Sequence, residues 1–488
     1  MEKIRAKLLA FINSDSDVPL LAGFSVGLYM LLFYYSRNFA LANSWEQLLF
    51  FTGYYIVLPM VAFYTVYKLL QVFKLRIYQR HFLFIAILAF TGFFLLQIND
   101  ISFSKKIAIA VIIVGAGLLS IPFHKYYKLL VLLLFLMAAV NIPYFVGSLW
   151  GGLMSSSEWR TQPDAIENVT FRLRPNIYYI QPDGYTSFNN LKDSIHNYDN
   201  TAYESFLKEK GFTLYEDYRS NYYSTLLSNS ATFSMKHHYF EEDVVNYGAR
   251  NIIIGDNPVL RILKKNNYKT HFITENPYLI INRPSNSYDT SNIGNDELPF
   301  LKDGFGIVKD VTADFKRQSA ENSSQNFYFI ERFMPSHIAV FPAYSKGVEA
   351  EKAAYLSRVT QANAWLKDMI LFIERNDPEA LIIIGADHGG FAGFKNTLQC
   401  EVKTNNPKLV NSIFGAHLAI KWPVATSSGY DDKLKTGVNL FRTVFSFLAN
   451  DKRYLEHLQD DGSYIQLKDP KGDYRYIDDN GKVVFEKY

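Results

Sequence analysis

The chain has 488 residues, 20% of them charged, with 50 Lys and Arg against 47 Asp and Glu and a formal charge of +3. That length allows two domains, and the near balance of charge argues against a nucleic-acid partner held on a basic surface. The one cysteine, Cys400, rules out a disulfide framework and reads as a small core residue.

The long apolar runs lie almost entirely before residue 150. About five segments are long enough to cross a hydrocarbon core: Val18 to Tyr35, Leu48 to Tyr67, Phe82 to Ile98, Ile107 to Phe123 and Leu129 to Leu149. A cleaved signal peptide would leave one such segment, so the set predicts an integral membrane domain over residues 1–150. Lys3, Arg5 and Lys7 precede the first segment. Lys68, Lys74, Arg76 and Arg80 separate the second from the third, and Lys125 and Lys128 the fourth from the fifth. The alternate loops hold only Arg37, Lys105 and Lys106. Basic loops stay in the cytoplasm, so the amino terminus is inside and an odd number of crossings carries the rest of the chain outside. Ile107 to Phe123 is short, and without it that orientation reverses.

Residues 151–174 are polar, with Ser155-Ser156-Ser157 and Pro163, and read as a juxtamembrane linker. From 175 to 488 the pattern is that of a soluble α/β domain. Pro175 to Tyr185 reads as a strand rich in aromatic and branched residues that ends at Asp183-Gly184. Tyr203 to Lys210 reads as a helix and Gly211 to Tyr215 as a strand. Ser220 to Ser230 is dense in hydroxyls and opens a helix. His237 and His238 follow it, at an expected solvated end. Pro258 to Asn266 reads as a helix, Tyr268 to Ile273 as a strand, and the polar stretch from Asn282 to Gly306 as a long loop able to cover a site. Asn326 to Ile330 is a strand leading to Glu331 and His337. Glu349 to Glu374 has helical periodicity.

That helix feeds Leu381-Ile382-Ile383-Ile384-Gly385-Ala386-Asp387-His388-Gly389-Gly390. Four apolar residues predict a strand buried on both faces, and α/β sheets place their chemistry at the carboxyl ends of such strands. Asp387 and His388 leaving one strand tip supply an oxygen and a nitrogen to a divalent cation. The alternative is an Asp that caps the next helix beside a surface His. Ile413 to Trp422 reads as a further strand containing His417, and Gly437 to Ala449 as a final helix.

The ordered set of strand-Asp183-Gly184-Tyr185, Ser220-Asn221-Tyr222 with Thr225 and Ser228, a strand leading to His337, and Asp387-His388-Gly389 resembles the alkaline phosphatase and sulfatase superfamily. Within it the chain is most similar to the membrane-anchored branch that includes lipoteichoic acid synthase and the lipid A phosphoethanolamine transferases. The resemblance covers Pro175 to Ala449. It implies a bundle of about five transmembrane helices followed by an α/β/α domain with a central mixed sheet, in a bacterial-type plasma (inner) membrane with the catalytic domain outside the cytoplasm.

The resemblance also implies roles. Asp183, Thr225, Asp387 and His388 would hold a divalent metal, Zn, Mn or Mg, and Thr225, or Ser224 beside it, would be the nucleophile that forms a phosphothreonine. Read without the resemblance, Thr225 is a helix N-cap hydroxyl. His337 would act as general acid or hold the phosphate, against an ordinary loop histidine; Glu331 and His417 would bind a second metal or the substrate, against a structural strand histidine at 417. Arg442 has no implied role beyond an anion contact. The transferases of this branch carry Glu at the first metal position where this chain has Asp183, and no Cys/Ser-x-Pro-x-Arg sequence is present to mature into a sulfatase's formylglycine.

The reading implied is a phosphotransferase that moves a phosphoglycerol or phosphoethanolamine type head group from a membrane lipid to a surface glycan or lipid. An extracytoplasmic phosphodiesterase or phosphatase is the alternative. A non-catalytic partner in glycan assembly is a third reading.

Overall fold

The computed structural model describes residues 2–99, 105–155, 158–241, 244, 248–302, 304–320, 325–423 and 429–488. The chain divides into two compact units, Met1–Met154 and Ser155–Tyr488.

The first unit is helical: α1 (Glu2–Asn13), α2 (Pro19–Asn38), α3 (Trp45–Phe51), α4 (Leu58–Val72), α5 (Gln79–Ile98), α6 (Lys105–Phe123) and α7 (Tyr127–Met154). Pro19 at the first turn of α2 lacks the N–H that a helix start leaves unused. Ser44 and Gln47 form a capping box at α3. Between α3 and α4 the helix widens to a π stretch over Thr52–Val57, where the N–H of Leu58 reaches back to the carbonyl of Gly53. The next residue, Pro59, has no N–H to give and its ring crowds the preceding turn, which accounts for the wider register. Gly23 and Gly27 let α2 touch this helix: a Cβ at Gly27 would stand 2.3 Å from the carbonyl oxygen of Tyr55.

Among the described residues four helical runs are long and apolar enough to cross a bilayer: Pro19–Leu41, Trp45–Val72, Arg76–Ile98 and Lys105–Arg160. The last includes α6 and α7, joined by a tight turn at His124–Tyr126. One end of the unit gathers polar groups that fix the helix directions. Asp17, just before α2, accepts from Arg80 of α5 at 2.9 Å, Tyr67 of α4 at 3.2 Å and Tyr127 of α7 at 3.2 Å. His81 of α5 bonds Ser120 of α6 and stacks on His124 at 3.9 Å. The starts of α2, α5 and α7 and the ends of α4 and α6 thus share one side, and five apolar segments alternate in direction. α7 continues through Gly151 to Met154, so the polar linker expected from residue 151 begins later.

The second unit is built on a seven-stranded sheet of order β2-β7-β6-β1-β5-β3-β4. The strands are β1 (Ile177–Pro182), β2 (Thr213–Leu214), β3 (Lys269–Thr274), β4 (Thr290–Ser291), β5 (Asn326–Arg332), β6 (Leu381–Gly385) and β7 (Leu418–Lys421). Only β7 runs against the rest: it pairs antiparallel with both β6 and β2. The predicted strand from Ile413 to Trp422 is therefore shorter, because Pro407–Phe414 forms a helix before it. The Asn282–Gly306 stretch is tied to the sheet edge through β4 and through Asn292, whose amide bonds both the N–H and the carbonyl of Thr274.

The three central strands are buried on both faces, and Tyr178 stacks on Tyr328 and Tyr179 on Phe329 across the β1–β5 pair. Each fully buried branched or aromatic side chain there contributes about 1.5–3 kcal/mol. This core anchors the site through register. β1 and β6 pair in parallel with Ile180 opposite Ile384, so the same spacing carried three residues further sets Asp183 beside Asp387. Helices α8 (Phe188–Lys192), α9 (Thr201–Glu209) and α10 (Thr225–Ser234) follow β1.

A second sheet, β8 (Ser463–Lys468), β9 (Lys471–Ile477) and β10 (Val483–Lys487), was not anticipated from the sequence. It clamps the turn before α10. Tyr464 N–H donates to the carbonyl of Asn221 at 2.8 Å, Asn221 Nδ2 to that of Gly462 at 2.9 Å, and Ser463 Oγ to that of Ser220 at 2.7 Å.

Candidate metal centre and cavity

The carboxyl ends of β1 and β6 bring Asp183, Asp387 and His388 together, with one ligand atom from each lying within 4.8 Å of the others. All three are buried. Asp387 Oδ1 accepts the N–H of Gly184 at 3.1 Å. Gly184 has φ +65°, and a Cβ there would stand 2.5 Å from the carbonyl oxygen of Ser336, so this turn requires glycine. Ser336 N–H in turn donates to the carbonyl of Asp183 at 2.7 Å.

The imidazole of His388 is fixed by its Nδ1–H, which donates to the carbonyl of Gly389 at 2.8 Å. Its Nε2 then carries the lone pair, and it lies 3.3 Å from Asp387 Oδ2, 3.3 Å from Thr225 Oγ1 and 3.9 Å from Asp183 Oδ1. Thr225 is the first residue of α10; Ser224 occupies the cap position, with no side-chain cap bond. The Thr225 hydroxyl donates to Asp183 Oδ1 at 3.1 Å. It points into the carboxylate group from a helix amino terminus, where the backbone dipoles favour negative charge.

Electrostatics is unbalanced here. Asp183 Oδ2 and Asp387 Oδ2 are buried with no hydrogen-bond partner. Burial pushes the Asp387 carboxyl up, His388 pulls it down and Asp183 pushes it up again, leaving it above its ordinary value. Burial alone would lower His388, but the Asp387 and Asp183 carboxylates outweigh it and hold the imidazole above its ordinary range. Two carboxylate oxygens without a partner converge with His388 Nε2, which can coordinate once its proton is lost, and that ligand set fits a divalent cation of the Zn, Mn or Mg kind.

A cavity of about 140 Å³ opens beside this group, lined by Ser224, Thr225, His337 and His388 and by the rings of Tyr223, Tyr278 and Phe391. Thr397, Leu398, Cys400 and Glu401 complete the wall. His337 follows β5 on a loop that Arg358 holds through the carbonyls of Pro335 and His337. Its ring lies 6.0 Å from that of His388, and its Nδ1–H donates to the carbonyl of Ile338 at 2.7 Å, leaving Nε2 as an acceptor. Burial and the neighbouring His388 hold its pKa below the ordinary value. No Lys or Arg lines the cavity among the described residues. Cys400 lies in the wall, yet burial and Glu401 push its thiol up to about 12, so it stays protonated at neutral pH.

Other predicted residues lie elsewhere. Glu331 is buried on β5, opposite Gln181 of β1, where Oε2 accepts from Thr274 Oγ1 at 3.0 Å. Burial and then Asp183 and Asp387 push its carboxyl well up, but it stands outside the three-ligand group. His417 is separated from that group. Its ring stacks on Tyr185 at 4.4 Å and packs against Phe188 and Tyr203, and burial drives its pKa down to about 3. His237 and His238, expected at a solvated end, are buried against Tyr222, since the second sheet covers them. Arg442 is buried and bonded to Asp164 and Gln162, which leaves it a structural tie.

Sequence reasoning missed the cavity walls contributed by Tyr223, Tyr278, Phe391 and Glu401. Tyr223, two residues before Thr225, and Phe391, three residues after His388, were near a signal; Tyr278 and Glu401 come from segments without periodicity.

No family model matches the chain, and no curated protein matches it. Among solved structures it is similar to the integral membrane lipooligosaccharide phosphoethanolamine transferase A (EptA) from Neisseria meningitidis, with 13% identity over 88% of this chain and 96% of that one and a TM-score of 0.41. It is similar to the periplasmic domain of EptC from Escherichia coli, with 10% identity over 61% of this chain and 92% of that one and a TM-score of 0.42. It is also similar to the lipoteichoic acid synthase LtaP from Listeria monocytogenes, with 14% identity over 66% and 91% and a TM-score of 0.41.

Proposed function

We propose that the chain is a multi-pass membrane enzyme whose second unit, outside the cytoplasm, transfers a phospholipid head group to a surface glycan or lipid through Thr225. The observation that carries this is the Thr225 hydroxyl, set at a helix amino terminus between Asp183 and His388 and facing a cavity. Asp183, Asp387 and His388 would hold a divalent cation, which when bound neutralises the nonbridging oxygens of a phosphoester and makes a nearby hydroxyl more acidic.

The chain's own groups support a two-step transfer. Thr225 Oγ1 gives its proton to the Asp183 carboxylate and forms a bond to phosphorus, while the bond to the lipid's glycerol oxygen breaks and that oxygen takes up the proton from Asp183. His337 Nε2 then accepts the proton of an acceptor hydroxyl, whose oxygen attacks phosphorus; the bond to Thr225 breaks and its oxygen takes up the proton from His337, restoring the hydroxyl. Among the described residues the cavity wall has no Lys or Arg to offset a second negative charge, which favours a singly charged phosphodiester over a phosphomonoester.

Mass spectrometry of membrane lipids and surface glycans from cells carrying the wild-type or the Thr225→Ala chain tests this reading. A head-group mass on a glycan or lipid that disappears with Thr225→Ala supports transfer. Release of the same group only to water puts the phosphodiesterase reading in its place. A reporter fused after Lys210 should be active only outside the cytoplasm.

A further inference from the structure

Large apolar side chains left at the surface of the second unit are concentrated around the cavity. Seven are exposed among its described residues, and one of them, Tyr488, stacks on Tyr239 at 4.8 Å. The other six fall in three segments: Leu301, Phe305 and Val308; Phe341 and Tyr344; and Val402. Each segment connects to the cavity wall. The ring of Phe305 lies 6.3 Å from that of Tyr278. The carbonyl of Ala339 accepts the N–H of Thr397 at 3.0 Å, and Ser345 Oγ donates to the carbonyl of Lys395. Val402 directly follows Glu401. Tyr278, Thr397 and Glu401 all line the cavity.

Single exposed apolar residues are ordinary on a protein surface, but six of them in three segments that each join the wall of one cavity are not. Lysines accompany them: Lys302, Lys346, Lys395 and Lys403 are exposed in or beside the same three segments. Aromatic and aliphatic side chains interleaved with lysine suit a lipid interface, with rings at head-group depth and ammonium groups at the phosphates.

We propose that this rim docks on the surface of a phospholipid bilayer, so that the cavity opens directly onto lipid head groups. The bilayer is the occupant favoured over a soluble protein because the same chain carries helices long and apolar enough to span one. The use made of the surface rests on the reading of the cavity as a head-group transfer site. The surface itself does not.

The full chain in phosphatidylethanolamine/phosphatidylglycerol nanodiscs, with benzoylphenylalanine replacing Phe305, Phe341 or Tyr344 one at a time, reads the contact without turnover. Glu379, exposed just before the opposite end of β6, is the control position. Photolysis should give phospholipid adducts at the three rim positions and none at 379. Equal labelling at 379, cross-linked copies of the chain, or no lipid adduct at the rim overturns the proposal. In turnover, Phe341→Asp with Tyr344→Asp should raise KM for a bilayer-embedded diester roughly tenfold and leave a water-soluble diester such as bis(p-nitrophenyl) phosphate unaffected. Equal losses on both substrates overturn it. Rim adducts without turnover of any diester would remove the transfer reading and leave the surface standing; turnover without adducts would do the reverse.

Discussion

Two clusters in the second unit use the same residue types to opposite ends. Around Asp460, the carboxylate accepts Tyr464 OH at 2.7 Å, Tyr239 OH at 2.5 Å and Gly462 N–H at 3.0 Å, with His237 3.5 Å away. Around Asp387, an equally buried histidine and two carboxylates leave two oxygens with no partner. Burial pushes Asp460 up, but His237 and the two tyrosines outweigh it and hold the carboxyl below its ordinary value. Asp387 is held above. An acid whose bonds are all supplied by protein is part of the scaffold, whereas one left short has oxygens to offer a ligand.

The sharpest way to break that contrast is to remove a ligand. Asp387→Asn and His388→Ala should each lower turnover by at least about 10²-fold while the protein stays folded, because the loss is in metal affinity and not in apolar packing. Chelation should do the same to the wild type, with recovery on adding back Zn, Mn or Mg; steady-state kinetics and bound-metal analysis read both. His337→Ala comes next. It should cost about 10²-fold or more, in the range of a positioned acid or base, with metal content unchanged.

Stability should separate the two clusters by sign. Asp460→Ala strands two tyrosine hydroxyls and should cost about 1–3 kcal/mol, seen as a lower thermal midpoint. Asp387→Asn in the chelated protein removes one of two crowded carboxylates and should raise the midpoint. The pH dependence follows. Asp460, depressed in the fold, contributes stability above about pH 4 that is lost as pH falls through its folded value. Asp387, raised in the fold, contributes below about pH 4 and its contribution is lost as pH rises through its folded value. Melts of the chelated variants across pH check both slopes. The smallest effect is expected at His417. His417→Phe should leave activity within about twofold and stability unchanged or improved, since both ring nitrogens lack partners in an aromatic pocket. A large loss of activity would restore it to the site.

What was legible in the chain follows physical periodicity. Buried strands ending in Asp183 and Asp387 stand out because a four-residue apolar run halts at a charge. Thr225 could be distinguished from a cap residue only by the resemblance, and in the structure the cap position falls to Ser224. The environment of His417 was not legible, because Tyr185, Phe188 and Tyr203 reach it from other elements. Nor was the burial of His237, which depends on a sheet more than two hundred residues later. That sheet did leave a signal: Tyr474 and Tyr476 alternate inward before the Asp478-Asp479-Asn480-Gly481 turn.

The account centres on the oxygen of Thr225. The most direct measurement is the mass of the peptide from Tyr222 to Met235 after the full chain is incubated with phospholipid membranes and quenched in acid. A phosphorus-containing head group should appear on Thr225, be absent from Thr225→Ala together with activity, and be partly retained in Thr225→Ser, which keeps the hydroxyl with a looser rotamer. Full activity of Thr225→Ala, or an adduct on Ser224 instead, would contradict it.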